Sequence, residues 1–334
     1  MSRLSVITGA SGFLGHALLV HLLERGERVR ILLRKPLPRF EGMDCETVIG
    51  DITQPESLLR AFAGADVVYH LAGVIELGTG RDEQVWAVNF EGTGNVTEAC
   101  KACGVRHLIY ASSVDAMPPA PRGEVMAEPE AFSAGAVNGA YAKSKAAASQ
   151  LVLDSAGEEL RVAVLMPSAV IGPYDYKGSA VGALAGMFVK RPFPFKITFG
   201  GYNFVDVRDV ARAMQVCAEN GSLPRQSVYL LSGEYLGCPG FLATLAELTG
   251  RKPPRVPIPY WLAMAFAPLA ELYYKYAKQT PLFSRYSIRK ITENGLFSHE
   301  KAARDLGYAP RDARESLTDM IEWMVGVQKF EPMR

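Results

Sequence analysis

Tyr141 and Lys145 stand four residues apart in the run Tyr-Ala-Lys-Ser-Lys. Their types suit proton transfer at a substrate oxygen. On a helix, positions i and i+4 share a face, so a phenol and an ammonium there project together. A free phenol, with a pKa of about 10, is a poor base at neutral pH. A neighbouring cation favours phenolate and lowers that value, and the phenol then serves as general base or acid. This spacing is common by itself. It gains weight from Ser112 and Ser113, two hydroxyls closing the apolar run that begins at His107. Ligands bind at the C-terminal ends of strands in a parallel sheet. Lys143 lies off the Tyr141 face and is expected to meet solvent.

The other chemistry-bearing cluster is Thr8-Gly9-Ala10-Ser11-Gly12-Phe13-Leu14-Gly15. It follows a short apolar strand and opens an apolar helix, the context in which a glycine triplet is informative. Gly9 permits a tight turn, Gly12 lets backbone approach a pyrophosphate, and Gly15 lets helix pack closely on strand. The first N–H groups of the helix then face the anion. Gly9, Ser11, Gly12, Phe13, Leu14 and Gly15 are therefore candidate dinucleotide contacts. An oxidised nicotinamide near Tyr141 would add a second positive charge favouring phenolate.

These groups need a scaffold. Strand-like and helix-like segments alternate: strands at 4–8, 28–33, 45–49, 66–71, 107–112 and 162–165, and helices at 13–25, 55–62, 83–103 and 140–155. That rhythm predicts an α/β fold, a doubly wound parallel Rossmann sheet with helices on both faces. After Pro167 the rhythm breaks. Val205–Val216 and Val228–Leu231 are read as returns to the main sheet. The remainder is read as a smaller, mostly helical substrate domain. The expected division is a dinucleotide-binding domain over 1–172, with returns near 203–218 and 227–233, and a substrate or lid region over 173–202 and 234–330. Residues 118–137, rich in Pro, Ala, Gly and Glu, are read as a loop reaching across the cleft.

The glycine pattern resembles the short-chain dehydrogenase/reductase superfamily, and the likeness to its extended members covers nearly the whole chain. That resemblance implies roles. Ser113 hydrogen-bonds the substrate oxygen, Ser112 lies against the cofactor, and Lys145 also holds the nicotinamide ribose. Gly50-Asp51-Ile52 looks like the adenine contact, with Asp51 and Ile52 touching it. His70-Leu71-Ala72-Gly73 resembles the segment lining the cofactor. Val88-Asn89-Phe90-Glu91-Gly92-Thr93 resembles a motif that puts Asn89 on the nicotinamide side. Met166–Pro173, with Pro167, Ser168 and Val170, resembles the nicotinamide-side loop. Asn203–Ala211 resembles the segment where the two domains meet.

An NAD-preferring site has a carboxylate at the end of the second strand for the ribose hydroxyls. Here that strand ends Leu32-Leu33-Arg34-Lys35. Arg34 and Lys35 suit a 2′-phosphate, since Arg recognises phosphate bidentately. The expected cofactor is NADP, with NAD as the alternative.

The second half resembles 3β-hydroxysteroid dehydrogenases and, less closely, dihydroflavonol reductases. The pieces are Tyr110–Met117, Pro281–Arg285, and Phe297–Ala302 leading to Asp305-Leu306-Gly307-Tyr308. Where nucleotide-sugar epimerases and dehydratases carry Arg and Asn to grip a diphosphate, this chain has Met166, Ser168 and Tyr202-Asn203. The implied reaction is hydride transfer on a secondary alcohol or ketone of a bulky apolar substrate, such as a 3β-hydroxysteroid. A nucleotide-sugar epimerase or dehydratase is the first rival, and a non-catalytic dinucleotide sensor the second. Pro259–Tyr276 is apolar and aromatic yet too interrupted to span a bilayer. It reads as a buried lid helix, a wall of an apolar pocket, or a surface touching membrane, with Trp261, Met264 and Phe266 the residues to watch.

Bulk properties narrow the partners. Lys and Arg number 36 against 35 Asp and Glu, so no basic face for nucleic acid is implied. Five scattered cysteines are no disulfide framework, which fits a reducing cytoplasm. Cys100 and Cys103 lie in a predicted helix with no second pair at zinc spacing, and the five histidines show no metal-ligand spacing, so no metal is expected. The N-terminus enters a strand rather than a signal peptide. A homodimer through the helices at 83–103 and 140–155 is expected.

Overall fold

A computed structural model describes residues 3–75, 82–190, 194–277 and 283–330. Pro281 and Leu282 of the dehydrogenase-like stretch lie outside the described residues. The first strands are mostly near-continuous apolar runs, as a sheet buried on both faces requires, with Glu46–Ile49 at the sheet edge the exposed exception. They are β1 (Leu4–Thr8), β2 (Arg28–Leu33), β3 (Glu46–Ile49), β4 (Val67–His70), β5 (His107–Ala111) and β6 (Arg161–Pro167). With β10 (Gln226–Leu231) they form one parallel sheet in the order β10-β6-β5-β4-β1-β2-β3. Strand order reverses between β1 and β4, the crevice where doubly wound folds bind ligands. Pairing of Thr8 with His70, His70 with Tyr110, and Ala111 with Leu165 aligns those strand ends along one edge.

Helices cover both faces. The first, α1, spans Phe13–Glu24, and Gly26 beyond it takes a left-handed φ of 73°. Pro55 opens α2 (Pro55–Phe62), where its missing N–H costs nothing. The stretch expected as one long helix is α3 (Asp82–Trp86), a π-type turn over Ala87–Glu91, and α4 (Gly92–Ala102). The widened turn carries Asn89, in keeping with the frequent placement of such turns at functional sites. Helix α5 is Ala140–Asp154. Helices α2, α4 and α5 share one core with the sheet through Leu58, Val96 and Ala146.

A second unit follows. Strand β7 (Ala169–Ile171) runs parallel to β9 (Gly201–Asp206), and β11 (Tyr235–Gly237) lies antiparallel on the other side of β9. A short parallel pair joins β8 (Phe195–Ile197) to β12 (Val256–Ile258). Helices α6 (Ala180–Lys190), α8 (Cys238–Leu248) and α12 (Ala313–Phe330) close a separate core around Phe188, Phe204, Phe241, Leu245 and Leu317. The remaining helices are α9 (Tyr260–Ala277), α10 (Arg285–Lys290) and α11 (Glu300–Leu306).

Of the two expected returns to the main sheet, Val228–Leu231 does enter it, as β10. Val205–Val216 does not enter it as a strand. Its first two residues end β9 in the smaller sheet, and the rest belongs to helix α7 (Val207–Glu219). That helix packs on α1 and covers the main sheet from outside. Asp206 caps α7 by accepting from the Arg208 N–H at 2.8 Å, so a helix start replaces the strand.

One close approach ties the turn to the sheet. A Cβ on Gly15 would stand 2.2 Å from the Gly9 carbonyl oxygen. Gly15→Ala is therefore expected to destabilise the chain by about 1–3 kcal/mol, read as a lower Tm in thermal unfolding. An unchanged Tm would show that the turn yields.

Candidate active site

The glycine turn sits at the C-terminal end of β1. Gly9 has φ 80°, and a Cβ there would meet the Ala72 nitrogen at 2.5 Å, so only glycine lets the turn pass the end of β4. Gly12 is the N-cap of α1 and brings no capping side chain, which leaves the first-turn N–H groups to an external anion. The chain thus fits a dinucleotide pyrophosphate at this turn. Ser11, Phe13 and Leu14 are half-buried around it.

A line of buried polar groups runs from this turn to Lys145. The Thr8 hydroxyl meets His70 Nδ1 at 2.7 Å and accepts from the Ala72 N–H at 3.3 Å. His70 Nε2 reaches the Thr93 hydroxyl at 2.9 Å, and Thr93 donates to the Asn89 carbonyl at 2.6 Å. Thr93 has spent its proton, so His70 carries hydrogen on Nε2 and accepts at Nδ1. Full burial, helped by the charge of Lys145, pushes the His70 pKa down to about 3, so it stays neutral. The Tyr110 ring stacks on His70 with ring centres 5.4 Å apart, and Thr93 lies near enough to the Tyr110 hydroxyl to lower its pKa. Lys145 Nζ donates to that hydroxyl at 3.2 Å and to the Ala111 carbonyl at 2.7 Å, and lies 4.7 Å from the Tyr110 ring centre. Burial lowers its pKa to about 7.

Tyr141 and Ser113 are brought together: the Ser113 side chain lies near enough to the phenol to lower its pKa. Ser113 Oγ also accepts from the Asp115 N–H at 3.1 Å, which fixes its orientation. The phenol pKa differs from the expectation. Burial raises it above the usual tyrosine value and Asp115 raises it further, while Ser113 and Lys290 pull it down. The ammonium of Lys145 is instead engaged by Tyr110 and Ala111.

The other expected contacts fall into two groups. Asn89 is fully buried, accepts from the Val74 N–H at 2.8 Å, and donates to the Val74 carbonyl and to Ser144 Oγ. It clamps the strand-end loop carrying Leu71, Ala72 and Gly73 onto α5. Ser112 Oγ lies 2.6 Å from Ser149 Oγ, pinning β5 to the same helix. Asp51 accepts from the Thr53 N–H and hydroxyl, and Ile52 is buried against Gly92. Pro167 ends β6 and Val170 lies in β7. Between them Ser168 is buried with its Oγ unpartnered, an orphan donor fitting a cofactor group at that edge.

Arg34 and Lys35 are exposed at the end of β2. Sequence reasoning missed two cations beside Arg34. Arg39 donates to the Ser11 carbonyl at 2.7 Å and stacks 4.9 Å from the Tyr176 ring centre. Lys177, from the loop after β7, reaches Ser11 Oγ at 3.4 Å. Burial lowers the Lys177 pKa, and Arg39 and Arg34 lower it further, so the three charges lie within mutual reach. A pocket of like charge at a glycine turn suits a multiply charged anion.

A cavity of about 410 Å³ opens beside the Ser113–Tyr141 pair, walled by Asp115, Met117, Tyr202, Tyr286, Lys290 and Phe297 among others. The loop expected to cross the cleft does so: Met126 bridges to Phe297, and Arg122 and Glu124 bond to Thr292 and Asn294. Trp261, Met264 and Phe266 do not line this cavity. Lys290 forms an ion pair with Asp115 at 2.7 Å, a pairing with no local sign in the sequence.

Residues 5–231 match the model of the NAD dependent epimerase/dehydratase family, and the chain belongs to that family of NAD-dependent enzymes. It is 29% identical to a sterol demethylase protein B of Methylococcus capsulatus, over 96% of this chain and 97% of that one. It is also 29% identical to a 3-beta-hydroxysteroid dehydrogenase of Mycolicibacterium neoaurum, over 96% and 93%. The crystal structure of gox2253 superposes with a TM-score of 0.82 at 30% identity, over 99% of this chain and all of that one.

Two predictions follow from the buried charges. Lys145 titrates near pH 7 in the fold but near 10.5 when unfolded. Between those values the unfolded chain binds more protons, so folding stability gains with pH through this window. Denaturant titrations should therefore show the wild type gaining on Lys145→Met between pH 7 and 10, and parallel curves would contradict the assignment. Lys290→Met removes a charge that lowers the Tyr141 pKa, and Asp115→Asn one that raises it. In the oxidation direction, where the phenolate is the active form, the ascending limb of the pH–activity profile should move to higher pH in the first variant and to lower pH in the second.

Proposed function

We propose that the chain interconverts a secondary alcohol and a ketone on a bulky, mainly apolar substrate, with 3β-hydroxysteroids as the first class to test and NADP as the preferred cofactor. The observation carrying this reading is the placement of Ser113 and Tyr141 together, directly behind their chain neighbours Val114 and Ala142 in the cavity wall, with Lys145 anchored on the same helix. Two relatives whose names refer to sterol or steroid chemistry, each matched over nearly the whole chain, support the substrate class.

In the oxidation direction Ser113 donates a hydrogen bond to the carbinol oxygen, and Tyr141, as phenolate, takes its proton. The bound oxidised nicotinamide supplies the hydride acceptor and a positive charge. Lys145 is held to one orientation by Ala111 and Tyr110, ready to bond a ribose hydroxyl. Arg34, Arg39 and Lys177 would hold a 2′-phosphate, and no carboxylate ends β2 to take the free ribose hydroxyls of NAD.

One observation favours a second reading, a nucleotide-sugar epimerase or dehydratase. Arg285 pairs with Glu271, and Lys290 with Asp115 and Glu293. Arg289 lines the same cavity with no side-chain partner among the described residues. A free guanidinium there suits a phosphate group.

Nicotinamide fluorescence of the purified chain with NADP⁺ or NAD⁺ and a panel of 3β-hydroxysteroids separates the readings. Reduction that disappears in Tyr141→Phe is expected. Arg39→Met should weaken NADP binding about tenfold while sparing NAD. Conversion of a sugar nucleotide with no net reduction would favour the second reading instead.

A further inference from the structure

Helix α9 departs from the rule that an amphipathic helix turns its apolar stripe inward. Trp261, Ala265, Pro268, Leu269, Leu272 and Tyr276 follow one another at steps of one, three or four residues, which places them on one face. That face is turned to solvent: Trp261 is 69% exposed and Leu269 63%. Phe266 borders it, also exposed. Contiguous exposed apolar surface of this kind marks an interaction site.

The patch continues onto the neighbouring β8–β12 pair. Phe199 packs against Tyr260 with ring centres 5.5 Å apart, and Phe195 and Val256 are exposed beside them. Lys196, Lys252 and Arg255 are exposed on the same segments, and none of their side chains has a partner among the described residues. Residues 194–199 and 251–270 contain no Asp or Glu. The next carboxylate, Glu271, is held by Arg285.

We propose that this face of α9, with the β8–β12 edge, docks onto an anionic lipid surface. Aromatic and aliphatic side chains flanked by unpaired cations, without a carboxylate among them, match the chemistry of a headgroup–acyl boundary. No helix among the described residues is long and apolar enough to cross a membrane, so α9 lies along the surface. A second copy of the chain is the poorer occupant. A twofold contact sets the same patch against itself, so Lys196, Lys252 and Arg255 of one copy meet a surface that carries cations and no carboxylate within 194–199 and 251–270. Docking also places the cavity near lipid, because α9 packs on α10 and α10 supplies Tyr286 and Lys290 to the cavity wall. The surface stands independently of the reaction proposed above.

Vesicle co-sedimentation of the full chain tests it, using phosphatidylcholine alone and phosphatidylcholine mixed with phosphatidylglycerol. The chain is expected to sediment with the mixed vesicles and to be released by salt. Leu269→Ser should lower partitioning about tenfold, and Lys252→Glu with Arg255→Glu should abolish the preference for phosphatidylglycerol. Dinucleotide binding should be unchanged in each variant, which shows that the fold is intact. The proposal is overturned if the native chain ignores both vesicles, if Leu269→Ser binds them as tightly as the wild type, or if sedimentation velocity shows a dimer that Leu269→Ser dissociates.

Discussion

A lysine ammonium taken out of water is the constraint on which the site is built. Lys145 is buried on α5, and burial alone pushes it toward the neutral amine. Its remaining stability comes from what surrounds it: the Ala111 carbonyl, the Tyr110 hydroxyl and the face of the Tyr110 ring. Tyr110 stacks on His70, and His70 bonds Thr93 and reaches Thr8 beside the glycine turn. Each buried polar group uses its neighbour, since an unsatisfied one would cost about 1–3 kcal/mol. Helix α5 and the glycine turn are thereby joined by one line of buried polar and stacked groups.

That line exists because the sheet is parallel and in this register. The ends of β1, β4 and β5 fall side by side, so Thr8, His70 and Tyr110 are neighbours although they come from distant parts of the chain. The π-type turn widens the helix where Asn89 and Thr93 must face inward, and Asn89 fastens the loop after β4 to α5. Ser112 with Ser149 makes a second fastening. Residues that resemble cofactor contacts also carry structural work here, holding the strand ends against α5.

The second unit completes the cleft with charge. It places Lys290 on Asp115 beside Tyr141, and Lys177 on Ser11 beside the glycine turn. Lys290 lowers the pKa of Tyr141, and Lys177 adds positive charge beside the glycine turn. Both depend on how the smaller unit sits on the sheet, so packing of the C-terminal region bears directly on chemistry encoded in the first half.

The sequence by itself determined the elements and the residues whose function is local. Unbroken apolar runs marked the buried strands, Pro55 marked a helix start, and the spacing of Gly9, Gly12 and Gly15 and of Tyr141 and Lys145 marked turn and helix face. These signals survive because they arise from backbone sterics and periodicity within a few residues. Val205–Val216 misled because its opening Val-Asp-Val alternation suits a strand, whereas from Val207 the apolar residues Val210, Ala211 and Met214 recur at helical spacing behind the Asp206 cap. Arg39, Lys177, Asp115 and Lys290 left no local trace, since a surface charge and a site charge look alike until packing sets their partners. The solvent-facing side of α9 is of the same kind. Its apolar stripe was legible, but whether that stripe is buried depends on which elements cover it, and only the tertiary structure decides that.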